Sequence, residues 1–165
     1  MATDSAVADD QRQQVEVGSR LRRGSLLMSL SGVAFIGYGI VFLVLNFVGG
    51  GFELGVSTLD GMAKADLNPT VAYYISHLHV ATAAFIISTG IAVTALSCYG
   101  VRQRLRWAWA TAVVTAVTGL ALALPMHYVS DAFAHDWVTH LGPIYLATIV
   151  FVAGAVMAYR GLSEA

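Results

Sequence analysis

Charge is the first thing this chain has little of. Only 12% of its 165 residues are Asp, Glu, Lys or Arg and 57% are hydrophobic, whereas about a quarter of an ordinary soluble domain is charged. A water-soluble globular domain is excluded on that ground. The net charge of −1 leaves no basic surplus for nucleic acid. Cysteine is nearly absent: Cys98 stands alone, so there is no internal disulfide and no C-x-x-C pair for zinc or a cluster. Redox or metal chemistry would have to rest on histidine, carboxylate or methionine sulfur. The sequence also lacks G-x-S-x-G, H-E-x-x-H, P-loop and G-x-G-x-x-G patterns, which removes support for the familiar hydrolase, metalloprotease and nucleotide sites.

What the chain has is long apolar runs. Crossing a bilayer takes about 20 mostly apolar residues. Four segments meet that length, at about 25–48, 71–99, 107–124 and 140–159. Each is expected to be a helix, because an isolated strand cannot satisfy its backbone in lipid. No Asp, Glu, Lys or Arg lies inside any of them, which argues against a proton pump or an ion-coupled transporter acting alone. The first run is too long for the ~7–15 apolar residues of a cleaved signal and is read as a retained span. The polar leader, residues 1–24, is expected to be a disordered cytoplasmic tail, and 161–165 a short second tail.

Arginine placement sets the expected orientation. Arg12, Arg20, Arg22 and Arg23 precede the first span, Arg102, Arg104 and Arg106 lie between the second and third, and Arg160 ends the fourth. With four spans all of these fall on one side, and only Lys64 on the other. By the positive-inside rule both termini are cytoplasmic and the protein sits in the plasma membrane. Short connections then imply an all-α, up-down-up-down four-helix bundle. Small residues should make its seams: Ser31, Gly32, Gly37 and Gly39 on the first helix, a stripe of Ala81, Ala84, Ser88, Ala92 and Ala95 on the second, then Gly119 and Gly154. Asn68 and Pro69 form a start signal for the second helix, as N-cap and first helical residue. Pro143 falls in the first turn of a helix capped by Thr139, or bends one that starts at Asp136.

All five histidines, His77, His79, His127, His135 and His140, fall on the outer side in this topology. Intramembrane ionisable groups are rare and tend to be functional. His77 and His79 point some 200° apart on one helix, at about 100° per residue. His77 shares a face with the small-residue stripe and is expected to meet a neighbouring helix, whereas His79 lies with Ile75, Thr82, Ala83 and Ile86. An imidazole from the second helix and His140 at the head of the parallel fourth helix would suit a haem held in the bundle. His127 and His135, with Asp131 and Asp136, form an outer-loop set that suits copper or zinc. A plainer reading has these imidazoles hydrogen-bonding to carbonyls, lipid phosphate or water at the headgroup level.

A histidine near the outer end of the second helix, an arginine-rich inner loop and a histidine opening the fourth helix together resemble one half of the haem A synthase type of bundle. That resemblance implies haem ligation by paired histidines, here His77 or His79 with His140. Tyr73, Tyr74 and Ser76 stand where the family carries a glutamate, and this chain supplies one bundle where the family has two. The size and the segment VRQRLRWAWA are similar to DoxX-like small four-helix membrane proteins. Two functions from different classes stay open. One is a cofactor-binding protein passing electrons near a quinone or partner cytochrome. The other is a non-enzymatic accessory subunit, whose partners are the lipid bilayer and other membrane chains.

Overall fold

The computed structural model describes residues 2–48, 66–129 and 141–164, with side chains placed from Gln11 onward except Met126. It contains four long helices: α1 (Ala2–Val48), α2 (Pro69–Ala95), α3 (Arg106–Ala123) and α4 (Gly142–Ser163). Each includes a window long and apolar enough to cross a membrane. α2 begins as its sequence dictates: the Asn68 side chain accepts from the Thr70 N–H at 2.9 Å and Pro69 takes the first helical position. α4 starts at Gly142, which places Pro143 in the first turn, where its missing N–H disturbs nothing.

The polar leader is drawn as the first part of α1, which runs unbroken for 47 residues. At 1.5 Å per residue that is about 70 Å of helix, more than twice a ~30 Å hydrocarbon core. Leu21 is buried against Gly161 and Leu162 of α4. Arg20 bridges Glu164 at 3.0 Å and Glu16, one turn earlier on its own helix, at 3.5 Å.

α1 is the central element, and both α2 and α4 pack along it. Against α4 the contacting positions count in opposite directions: Leu21 meets Gly161, Gly24 meets Ala158, Met28 meets Gly154, and the Ser31 hydroxyl donates to the Ala147 carbonyl at 2.8 Å. Against α2 they do the same, from Ser29 beside Cys98, through Gly32 on Gly90 and Gly39 on Ala83, to Asn46 bonded to Ser76. These seams are close enough that a Cβ on Gly90 would stand 2.6 Å from the Gly32 carbonyl oxygen. Such backbone-to-backbone approach supplies dispersion contacts between the helices, the kind that lipid leaves available to helices that span it.

The seam on α2 is not the stripe expected from sequence. Ala83, Gly90, Val93 and Ser97 are buried, while Ala84, Ser88 and Ala95 are exposed. α2 then widens into a π-helical turn over Leu96–Gly100, tightens into a 3-10 turn over Val101–Gln103, and reverses at Arg104, whose φ of 62° is left-handed. Gly100 lets the first turn of α3 close onto this corner, because any Cβ there would overlap the Ala108 methyl.

α3 is the least embedded helix. Ala108, Ala112 and Ala116, spaced one turn apart, are buried against the rest. Beyond Ala116 every described residue of α3 except Leu120 is exposed, with Val117 at 55% and Leu122 at 73%. The main apolar core, from Leu21 and Met28 to Val93, Val101, Phe151 and Leu162, therefore sits in the half of the bundle that bears the arginines.

Candidate functional site

Helical geometry separates the two histidines of α2, and in the opposite sense to the one expected. His77 is exposed; His79 is half-buried and turned toward α1. The His79 ring stands edge-to-face on Phe42, with centroids 5.1 Å apart. The reason is register: His79 lies one turn before Ala83 and so belongs to the true α1–α2 seam. One turn outward, the buried Asn46 amide donates to the Ser76 hydroxyl at 2.8 Å, and that hydroxyl lies 3.2 Å from the Asn46 carbonyl oxygen. His79, Phe42, Asn46 and Ser76 thus form a small polar and aromatic cluster between α1 and α2.

This cluster is partly one that sequence reasoning passed over. Asn46 is the lone amide in the apolar run of α1, and that isolation was the available signal. A second polar group lies deeper. Ser29 donates to the Ser25 carbonyl at 2.8 Å and its oxygen is 3.2 Å from the Cys98 sulfur, while Thr94 donates to the Gly90 carbonyl at 2.8 Å. Hydroxyls that bond back to their own helix in this way satisfy themselves without needing a ligand.

Of the expected metal and haem residues, His127 is placed at the end of α3, its Nδ1 3.1 Å from the Ala123 carbonyl, so Nδ1–H donates there. The neighbouring Tyr128 hydroxyl bonds that of Tyr145 on α4. His135, His140, Asp131 and Asp136 lie outside the described residues. Among the described residues no group of three His, Cys, Asp or Glu side chains comes together. Tested against a haem with two axial imidazoles, the described residues place only the α2 half of the pair. Its two candidates are His77, which is exposed, and His79, which is engaged with Phe42 of α1.

The structure also contains a feature at the opposite end. α3 and α4 touch near the arginine-bearing end and leave between them an apolar cleft of about 460 Å³, walled by residues such as Val113, Leu120, Phe151 and Val152. Trp109 and Tyr159 close its arginine end, their rings 5.1 Å apart, and the Trp109 indole donates to the Ala155 carbonyl at 3.0 Å.

No family model matches the chain, and neither does any curated protein or solved structure. The likeness to the haem A synthase type and to DoxX-like proteins therefore remains one of layout.

Proposed function

We propose that this chain is an integral membrane protein that crosses the bilayer four times in an up-down-up-down order, with both termini cytoplasmic, and serves as a non-enzymatic accessory subunit of a larger membrane assembly. The observation that carries this reading is the division among its glycines. Gly24, Gly32, Gly39, Gly90 and Gly154 are each pressed against a neighbouring helix, whereas among the described residues nothing lies within 4 Å of a Cβ built on Gly37 of α1 or Gly119 of α3. Gly37 lies among the exposed apolar residues Val33, Ile40, Val41 and Val44. Glycine is a poor helix former, by about 1 kcal/mol against alanine, and within membranes small residues concentrate where helices meet. Gly37 and Gly119 lie within apolar runs, unlike Gly18, which is open in the same way, and they fit the approach of helices from another chain.

The test is purification in mild detergent from the protein's own membrane, for the wild type and for Gly37→Leu and Gly119→Leu. The expected result is a stoichiometric membrane partner with the wild type, lost with a leucine variant that keeps its helical circular dichroism. A wild-type chain that runs alone in detergent, or a complex indifferent to both leucines, overturns the proposal.

The haem and electron-transfer reading would require His79 to leave its ring contact with Phe42 of α1. It predicts Soret and α bands in protein from a haem-replete host, lost in His79→Ala. Their absence from the wild type removes it.

A further inference from the structure

The α3–α4 cleft is lined by apolar side chains along its length and by an arginine at one end. Its lining runs from Trp109 to Leu120 on α3 and from Thr148 to Arg160 on α4. At 1.5 Å per residue these are about 16 and 18 Å of helix. Half of a ~30 Å hydrocarbon core is about 15 Å, so the cleft is as deep as one leaflet. Its walls over that depth are apolar, and its volume of about 460 Å³ lies within the range of small-molecule sites.

Charge appears only at one end. Arg160 lines the cleft at its mouth. Arg106 lines a smaller adjoining hollow that shares Trp109 and Tyr159 with the cleft, and its Nη2 donates to the Leu162 carbonyl at 3.1 Å, which ties the guanidinium to this end of α4. Glu164, the acid that follows α4, is paired with Arg20. Positive charge thus sits where an acyl chain lying in the cleft would carry its headgroup, and Trp109 and Tyr159 mark the level at which aromatic rings meet headgroups.

We infer that this cleft holds one anionic phospholipid from the leaflet at the arginine-bearing end, with an acyl chain between α3 and α4 and its phosphate at Arg160 and Arg106. The inference rests on the membrane-spanning part of the proposed function and is independent of any partner subunit. Guanidinium groups bind phosphate oxygens through charge-assisted, often paired, hydrogen bonds, so an anionic headgroup should be preferred to a zwitterionic one.

The experiment reconstitutes the full chain with vesicle lipid, either phosphatidylglycerol or phosphatidylcholine of the same acyl composition, and counts lipids retained by native mass spectrometry. Wild type should retain one phosphatidylglycerol in preference to phosphatidylcholine. Arg160→Gln should lower that preference about fivefold, and with Arg106→Gln added it should vanish. Val156→Phe, at an exposed position of the cleft wall, should displace both lipids. Equal retention of the two lipids by wild type, or retention unchanged by the phenylalanine, overturns the site. Alkaline extraction of the same membranes separates the two failures. A chain that stays with the membrane yet holds no lipid refutes the cleft alone, and one that is released refutes the membrane reading beneath it.

Discussion

Substituting Gly24 by alanine tests how the bundle is held. A Cβ at Gly24 would stand 2.8 Å from the Ala158 Cα and from the Gly154 carbonyl oxygen, and closer still to the Ala158 amide nitrogen. Ordinary non-bonded contacts between helices begin at about 3.3–3.6 Å, and the amide nitrogen is the closest atom, so α1 and α4 must separate by roughly 1 Å or shear. The atoms in the way are backbone, and no rotamer change relieves them. Inserting a methyl group into such a packed contact costs about 1–3 kcal/mol. Alanine's better helix propensity returns up to about 1 kcal/mol. The net expectation is a loss of about 1–2 kcal/mol, five- to thirtyfold in the folding constant.

Gly37→Ala is the matched control, since among the described residues nothing lies within 4 Å of its Cβ position. It carries the propensity gain without the steric penalty and should leave the isolated chain as stable as wild type or up to about 1 kcal/mol more so. The assay is equilibrium unfolding of the detergent-solubilised protein by added dodecyl sulfate, followed by helical circular dichroism and tryptophan fluorescence. If Gly24→Ala unfolds at the same point as Gly37→Ala, the close α1–α4 seam does not hold this fold together and the reasoning fails.

Two further substitutions probe separate parts of the fold by the same unfolding assay. Ser31→Ala removes the hydroxyl that donates to the Ala147 carbonyl at 2.8 Å and should cost about 0.6 kcal/mol and no more than about 1.7; a larger loss would mean the hydroxyl also fills space that alanine cannot. Arg104→Gly should stabilise the isolated chain by about 1 kcal/mol, because Arg104 has a φ of 62° and only glycine enters that region without strain.

How much of this was legible in the sequence depends on the kind of signal each feature leaves. Spans are written as runs, and four were readable, along with the start of α2 at Asn68–Pro69, where capping chemistry is local. Faces are another matter. A helix in water marks its inward side by polarity, but a membrane helix is apolar all round, and small residues occur on α2 both inward, at Ala83 and Gly90, and outward, at Ala84 and Ser88. The choice between those rows is made by shape against α1, with Gly90 opposite Gly32 and Gly39 opposite Ala83. His77 and His79 changed places for the same reason: whichever row becomes the seam takes its histidine with it.

The uneven packing of α3 then connects fold to function. Its first half is fastened by Ala108, Ala112 and Ala116, and Arg106 adds a bond to the Leu162 carbonyl; from Val117 outward it presents mostly exposed apolar surface. Close packing and arginines therefore share one end of the bundle, and the placed histidines, His77, His79 and His127, belong to the other. Side chains near the core are held by many contacts at once, whereas regions of few buried contacts open most readily. The arginine end is thus suited to hold a lipid in a fixed cleft. Among the described residues the histidine end has fewer buried neighbours, and a partner helix seated at Gly37 or Gly119 would add contacts that the described helices do not supply.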